Sequence, residues 1–129
     1  MDSMKMVKKA LNEIKATRGF ERVKFIILYG SAAGDRMHSG SDIDLCIYYD
    51  GDMEEASDFR FRLLSKLPEV FDVQIFQVLP LYIRVEVLKG KVIYCEDETF
   101  LHDIAWETIK EFEAFKNRFY DYIGEKPIE

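Results

Sequence analysis

Two aspartates separated by one residue, Asp42 and Asp44, are the side chains of this sequence best spaced to do chemistry. In an extended strand, residues i and i+2 point to the same face, about 6–7 Å apart along the chain. Carboxylates held that way can converge on a hard cation, and Mg²⁺ is commonly bound by one or two carboxylates plus substrate phosphates. Taken alone, Asp-x-Asp at a strand start is as well read as a solvated face, or as a turn capped by Asp42. A second feature lies upstream. Gly30-Ser31 follows the apolar run Phe25-Ile26-Ile27-Leu28-Tyr29, and ten residues separate Ser31 from Asp42. A glycine at that point lets backbone N–H groups approach phosphate oxygens with no Cβ in the way. A hydroxyl at a helix start adds a donor beside the partial positive charge of the helix N-terminus, although Ser31 would also serve as a simple N-cap. Together the two features place a phosphate cradle beside a carboxylate pair, the layout that metal-assisted attack on a nucleoside triphosphate requires.

A third carboxylate, Asp72, sits between Phe71 and Val73 in a later strand-like segment. It could share a metal with the first pair and take the proton of an attacking hydroxyl, or it could face solvent on an open sheet.

These residues need strands to hold them. Val23–Tyr29 is a continuous apolar run with β-branched members, as expected of a buried central strand. Ile43–Tyr49 alternates, with Ile43, Leu45 and Ile47 on the face opposite to Asp42 and Asp44. Val70–Phe76 alternates likewise, with Phe71, Val73 and Ile75 on one side and Asp72, Gln74 and Phe76 on the other. Met4–Thr17 repeats apolar residues at helical spacing, and Met53–Leu67 is an amphipathic helix stopped by Pro68. Ser31–Met37 reads as a short helix, and His38–Ser41 as a turn. Leu81–Leu88, between Pro80 and Gly90, is ambiguous. Val92–Cys95 suits a short edge strand. Glu98–Ile123 has no Pro or Gly and would form a helix about 40 Å long. Its apolar face, Leu101, Ala105, Thr108, Phe112, Phe115, Phe119 and Tyr122, is broad for packing on one sheet alone. The order of elements is α/β, and the length of 129 residues fits one domain over 1–129, with a core of about 20–95 and the terminal helix at about 98–123.

Composition narrows the classes. Hydrophobic residues make up 48% of the chain, enough for a real core. No apolar run approaches the roughly 20 residues of a membrane span, and the N-terminus lacks the apolar region of a signal peptide, so a cytoplasmic location is expected. Cys46 and Cys95 each lie in apolar sequence and read as buried free thiols. The net charge of −6 disfavours nucleic acid as a partner, since binding it relies on clustered Lys and Arg. His38, His102 and the Glu54-Glu55 pair read as loop, exposed helix face and first-turn charge bias.

The segment LYGSAAGDRMHSGSDIDL, which spans Gly30-Ser31 to Asp42-Ile43-Asp44, resembles the nucleotidyltransferase domain of the DNA polymerase β superfamily. More narrowly, it is similar to the minimal nucleotidyltransferases of prokaryotes. The resemblance implies a mixed sheet flanked by helices (an α+β nucleotidyltransferase fold), two Mg²⁺ ions, and ATP or another NTP as donor. It implies that Gly30 and Ser31 hold the triphosphate and that Asp42, Asp44 and Asp72 bind metal. Many members carry arginines just after the Gly-Ser pair. Here Ala32-Ala33-Gly34 follows, and Arg36 is the nearest cation that could replace them.

Small proteins of this type often pair with a helical HEPN toxin, and the resemblance then implies AMP transfer from ATP to a toxin tyrosine. A non-catalytic antitoxin that neutralises a helical partner is the alternative, favoured by the missing arginines and disfavoured by the three carboxylates. A small-molecule modifier would need a further domain for its acceptor. An exposed apolar terminal helix would also support a homo-oligomer.

Overall fold

A computed structural model of the chain describes residues 3–30 and 42–123. Four strands, β1 (Val23–Tyr29), β2 (Ile43–Tyr49), β3 (Phe71–Ile75) and β4 (Lys91–Cys95), form one sheet in the order β3-β2-β1-β4. β1 runs antiparallel to β2 and β4, while β2 and β3 are parallel, so the sheet is mixed. Among the described residues, four α-helices accompany it: α1 (Ser3–Lys15), α2 (Met53–Lys66), α3 (Leu81–Leu88) and α4 (Glu98–Ile123). The parallel pair is joined through α2, as a crossover between parallel strands requires.

The apolar run of β1 is central because it is buried on both faces. Ile26 and Leu28 join Leu45, Ile47 and Val73 beneath α1 and α2, which contribute Val7, Ala10, Ile14, Phe59 and Leu63. Phe25, Ile27 and Cys46 face the other way, under Val87 of α3 and Phe100, Leu101 and Ile104 of α4. Cys46 is fully buried, Cys95 half-buried, and both thiols are free.

Local chemistry fixes the ends of these elements. α2 opens with a capping box: Asp52 Oδ1 accepts from the Glu55 backbone N–H at 2.8 Å, and Glu55 Oε1 accepts from the Asp52 N–H at 3.0 Å. Glu55 therefore does more than bias the charge of a first turn. β3 is an edge strand, and Arg60 of α2 donates its Nε to the Val73 carbonyl at 2.6 Å.

Several boundaries differ from expectation. α1 ends at Lys15 rather than Thr17, whose hydroxyl donates back to the Glu13 carbonyl at 2.8 Å. β3 stops at Ile75, because Phe76–Val78 winds into a 3₁₀ turn that buries Phe76 against Phe25 and Tyr48. Gln77 in that turn completes the pairing with its side chain. Its amide oxygen accepts from the Tyr49 N–H at 3.2 Å, and its amide nitrogen donates to the Tyr49 carbonyl. The ambiguous segment 81–88 is helical, and β4 begins one residue early, at Lys91.

α4 has the expected bounds but only part of its apolar face is packed. Leu101, Ala105 and Phe112 are half-buried and Thr108 is buried, whereas Phe115 and Phe119 are about half exposed and Tyr122 is 89% exposed. Trp106 and Ile109 widen this uncovered surface. Among the described residues, no helix is long and apolar enough to cross a membrane.

Candidate nucleotide and metal site

One end of the sheet gathers the residues of interest. Tyr29 closes β1, Asp44 is the second residue of β2, and Asp72 the second of β3. Pairing places Tyr29 opposite Asp44 and Asp44 beside Asp72. Adjacent strands lie about 4.8 Å apart, so the two carboxylates stand next to each other on one face. That face is the one opposite to Ile43, Leu45, Phe71 and Val73, which pack into the core. The alternation read in the sequence is therefore the alternation observed.

Gly30 completes the arrangement from the β1 side. Its φ is +79°, in the left-handed region, and a Cβ built there would run into Oδ2 of Asp44. The missing side chain thus makes room for a carboxylate of the chain itself, besides any phosphate. From β3, Gln74 donates Nε2 to both oxygens of Asp72, at 3.2 and 3.3 Å. Asp42 stands exposed just before β2.

Burial raises the pKa of Asp44 above the usual carboxylate range, and the negative charges of Asp72 and then Asp42 raise it further. Tyr29 is pushed up to about 12, first by burial and then by Cys46, Asp44 and Asp72. Its phenol is a neutral hydrogen-bond donor at physiological pH. Burial likewise pushes the Cys46 thiol up, which leaves it neutral and a poor metal ligand.

Of the residues singled out in the sequence, Asp44, Asp72 and Gly30 are brought together, with Asp42 near enough for its charge to be felt at Asp44. Ser31 and Arg36, with the Ala32-Ala33-Gly34 segment, the expected short helix and His38, lie outside the described residues. Among the described residues, no group of three or more His, Cys, Asp or Glu side chains is gathered closely enough to hold a metal ion by itself. An open site, completed by ligand oxygens and water, is the form Mg²⁺ prefers. His102 is exposed on α4, as read. Sequence reasoning missed Tyr29 and Gln74. Gln74 had a signal, since it shares a face with Asp72 two residues away.

A mixed sheet with adjacent aspartates at one end, and a positive-φ glycine pressed against them, defines a nucleotidyltransferase class of protein. The polymerase beta, nucleotidyltransferase family matches residues 11–99, and the chain belongs to that family. A candidate protein adenylyltransferase of Methanocaldococcus jannaschii is 35% identical over 78 residues, a match that covers 60% of this chain and 60% of that protein. The fold is similar to that of a toxin–antitoxin crystallised with AMP-PNP, at a TM-score of 0.70 and 17% identity over 90% of this chain and 94% of the other. It is also similar to the complex of a tri-AMPylated Shewanella oneidensis HEPN toxin with its MNT antitoxin, at a TM-score of 0.66 and 18% identity over 92% and 96% of the two chains. These likenesses bear out the α/β reading and the family resemblance.

Proposed function

We propose that this chain transfers AMP from ATP to an acceptor hydroxyl, a tyrosine of a helical HEPN-type partner protein. The observation that carries the reading is the pair Asp44 and Asp72, side by side on parallel strands with Gly30 against Asp44. An Asp44 whose proton affinity is raised by burial and then by the charges of Asp72 and Asp42 suits a site whose charge is balanced by cations. Asp42, Asp44 and Asp72 would hold two Mg²⁺ ions, with Gly30, Ser31 and Arg36 on the triphosphate. When bound, the ions neutralise phosphate charge and polarise the α-phosphate.

The chain's own residues supply the rest. The acceptor oxygen attacks the α-phosphorus, the bond from that phosphorus to the bridging oxygen breaks, and pyrophosphate leaves. Asp72 takes the acceptor's proton, with its oxygens oriented by Gln74. The core at about 20–95 and α4 act as one nucleotidyltransferase domain, in the cytoplasm, where ATP is supplied.

The partner assignment is supported by the HEPN complexes among the structural neighbours and by the uncovered aromatic half of α4. That same surface favours a second reading, a binding module that neutralises its partner without turnover. Incubation with labelled ATP and Mg²⁺, with and without any helical protein encoded next to the chain, separates the two. Label on the partner that disappears in the Asp42→Ala, Asp44→Ala double variant is the expected result. A tight complex without label transfer would leave only the binding module.

A further inference from the structure

A groove of 710 Å³ runs between α1 and the link from α2 to β3. Met6, Ala10, Leu67 and Phe71 give it an apolar floor, and exposed Lys5 and Lys9 line it with two ammonium groups against the single carboxylate of Glu13, beside Asn12. Its volume lies in the range of ligand pockets, roughly 300–1,000 Å³. The charge around it is unlike the rest of the protein. α1 carries four lysines and one glutamate, Glu13, in a chain of net charge −6. Among the described residues, Lys5, Lys8 and Lys9 are exposed and form no ion pair.

The groove's place in the fold gives it meaning. Strand order sets Gly30 just past the end of β1, Asp44 on β2 and Asp72 on the β3 edge, in that sequence across one end of the sheet. Phe71 of the groove is the residue before Asp72, and Val70, just ahead of it, accepts the Ile43 N–H at 2.7 Å, next to Asp42. The groove therefore opens at the same end of the sheet as the carboxylates, by the β3 edge away from Gly30, but on the opposite face, since Phe71 points toward α1 and Asp72 away from it. In-line displacement at phosphorus needs the attacking oxygen opposite the leaving group. With the triphosphate on the Gly30 side, the acceptor comes from the β3 side.

We infer that this groove docks the segment carrying the acceptor hydroxyl, an acidic peptide with apolar side chains on one face. The apolar face lies on Met6, Ala10, Leu67 and Phe71, acidic side chains meet Lys5 and Lys9, and the hydroxyl reaches round the start of β3 to Asp72. An amphipathic segment laid into an apolar groove with complementary charge at its rim is a common recognition mode. The inference rests on the transfer reading above for the hydroxyl, but not for the docking.

The test uses the whole chain and a fluorescein-labelled 14-residue peptide of Glu, Leu and one Tyr, with a Lys-for-Glu peptide as control. Polarisation titrations are expected to give binding of the acidic peptide only, weakened at least tenfold by Lys5→Glu with Lys9→Glu and about threefold by the Lys→Gln pair. Amide resonances of Met6, Ala10 and Phe71 should shift on its addition. Equal binding of both peptides, or affinity unchanged in the Glu variants at an unchanged melting temperature, overturns the docking. So does a shift of the same resonances by ATP–Mg²⁺ or by oligoadenylate RNA in place of the peptide. Peptide binding in the groove with no label transfer to any acceptor upholds the docking and fails the enzyme. Label transfer to the partner with an acceptor KM unmoved by the Glu pair does the reverse.

Discussion

The carboxylate of Asp44 fills the space that a side chain at position 30 would occupy. Gly30 is held at φ +79°, where L side chains are disfavoured, and its missing Cβ lies against Asp44 Oδ2. A Gly30→Ala variant meets both penalties at once. Forcing a non-glycine residue into the left-handed region costs on the order of 1 kcal/mol, and the methyl must push Asp44 aside. We expect label transfer to fall at least ~100-fold, the scale of effect when a reacting group is displaced by about an ångström. The melting temperature should drop by only about 4 °C, so loss of activity with retained circular dichroism is the outcome that checks it.

The burial of Asp44 and the crowding of acids around it have a sign that can be measured. The pKa of Asp44 is raised in the folded state, so the folded form binds its proton more tightly than the unfolded chain does. The resulting stability is present in full below the unfolded value near 3.8 and is lost as pH rises through the higher folded value. At pH 7, without divalent cations, the site therefore opposes folding. Asp72→Asn removes one of the repelling charges and keeps an oxygen for Gln74. Its melting temperature in EDTA at pH 7 should exceed that of the parent by about 2–4 °C. The gap should shrink as pH falls toward 4. A variant no more stable than the parent at pH 7 would contradict the argument.

Arg60 is expected to matter for the β3 edge. Its Nε bond to the Val73 carbonyl joins α2 to the outermost strand. Arg60→Met keeps an apolar stem and loses the donor, which should lower unfolding free energy by about 1.5–3 kcal/mol, as for a hydrogen bond from a charged group. The urea midpoint reports it, and hydrogen exchange should accelerate first at β3.

The packed core under α2 and the uncovered half of α4 should respond differently to truncation. Phe59 is fully buried under the sheet, and Phe59→Ala should cost about 3–5 kcal/mol. Phe115 and Phe119 stack on each other at 6.4 Å while half exposed. Changing both to Ser should move stability by no more than about 0.5 kcal/mol each. Under the proposed function, the same double change should weaken capture of the HEPN-type partner at least tenfold by calorimetry.

Much of this was legible in the sequence where periodicity and burial agree. β1 and β2 have the predicted limits because their apolar residues are buried on one face or both, and Gly30 and Asp50-Gly51 punctuate them. The face shared by Asp44 and Asp72 followed from alternation. Their adjacency did not, because it depends on the parallel pairing of β2 with β3, a long-range choice that no local pattern encodes. The early end of β3 was hidden for a similar reason: Phe76 continues the alternation by type, but packing on Phe25 and Tyr48 turns it out of the strand. The lysines of α1 stand between its apolar positions in the sequence, which gives them no partner by pattern alone. Only the fold brings Lys5 and Lys9 to Leu67 and Phe71 and gives their charge a floor to stand over.

Gln77 has a consequence for how this domain can change. Its side-chain amide imitates a peptide group and offers Tyr49 both the acceptor and the donor that a longer β3 would have provided. The main chain is thereby released from the sheet at Ile75, and the path to α3 is uncoupled from the ladder. Insertions or deletions between Val78 and Pro80 can then re-aim α3 without unzipping β2. The second face of the sheet becomes an adjustable module, and the carboxylate end stays anchored through the β2–β3 register.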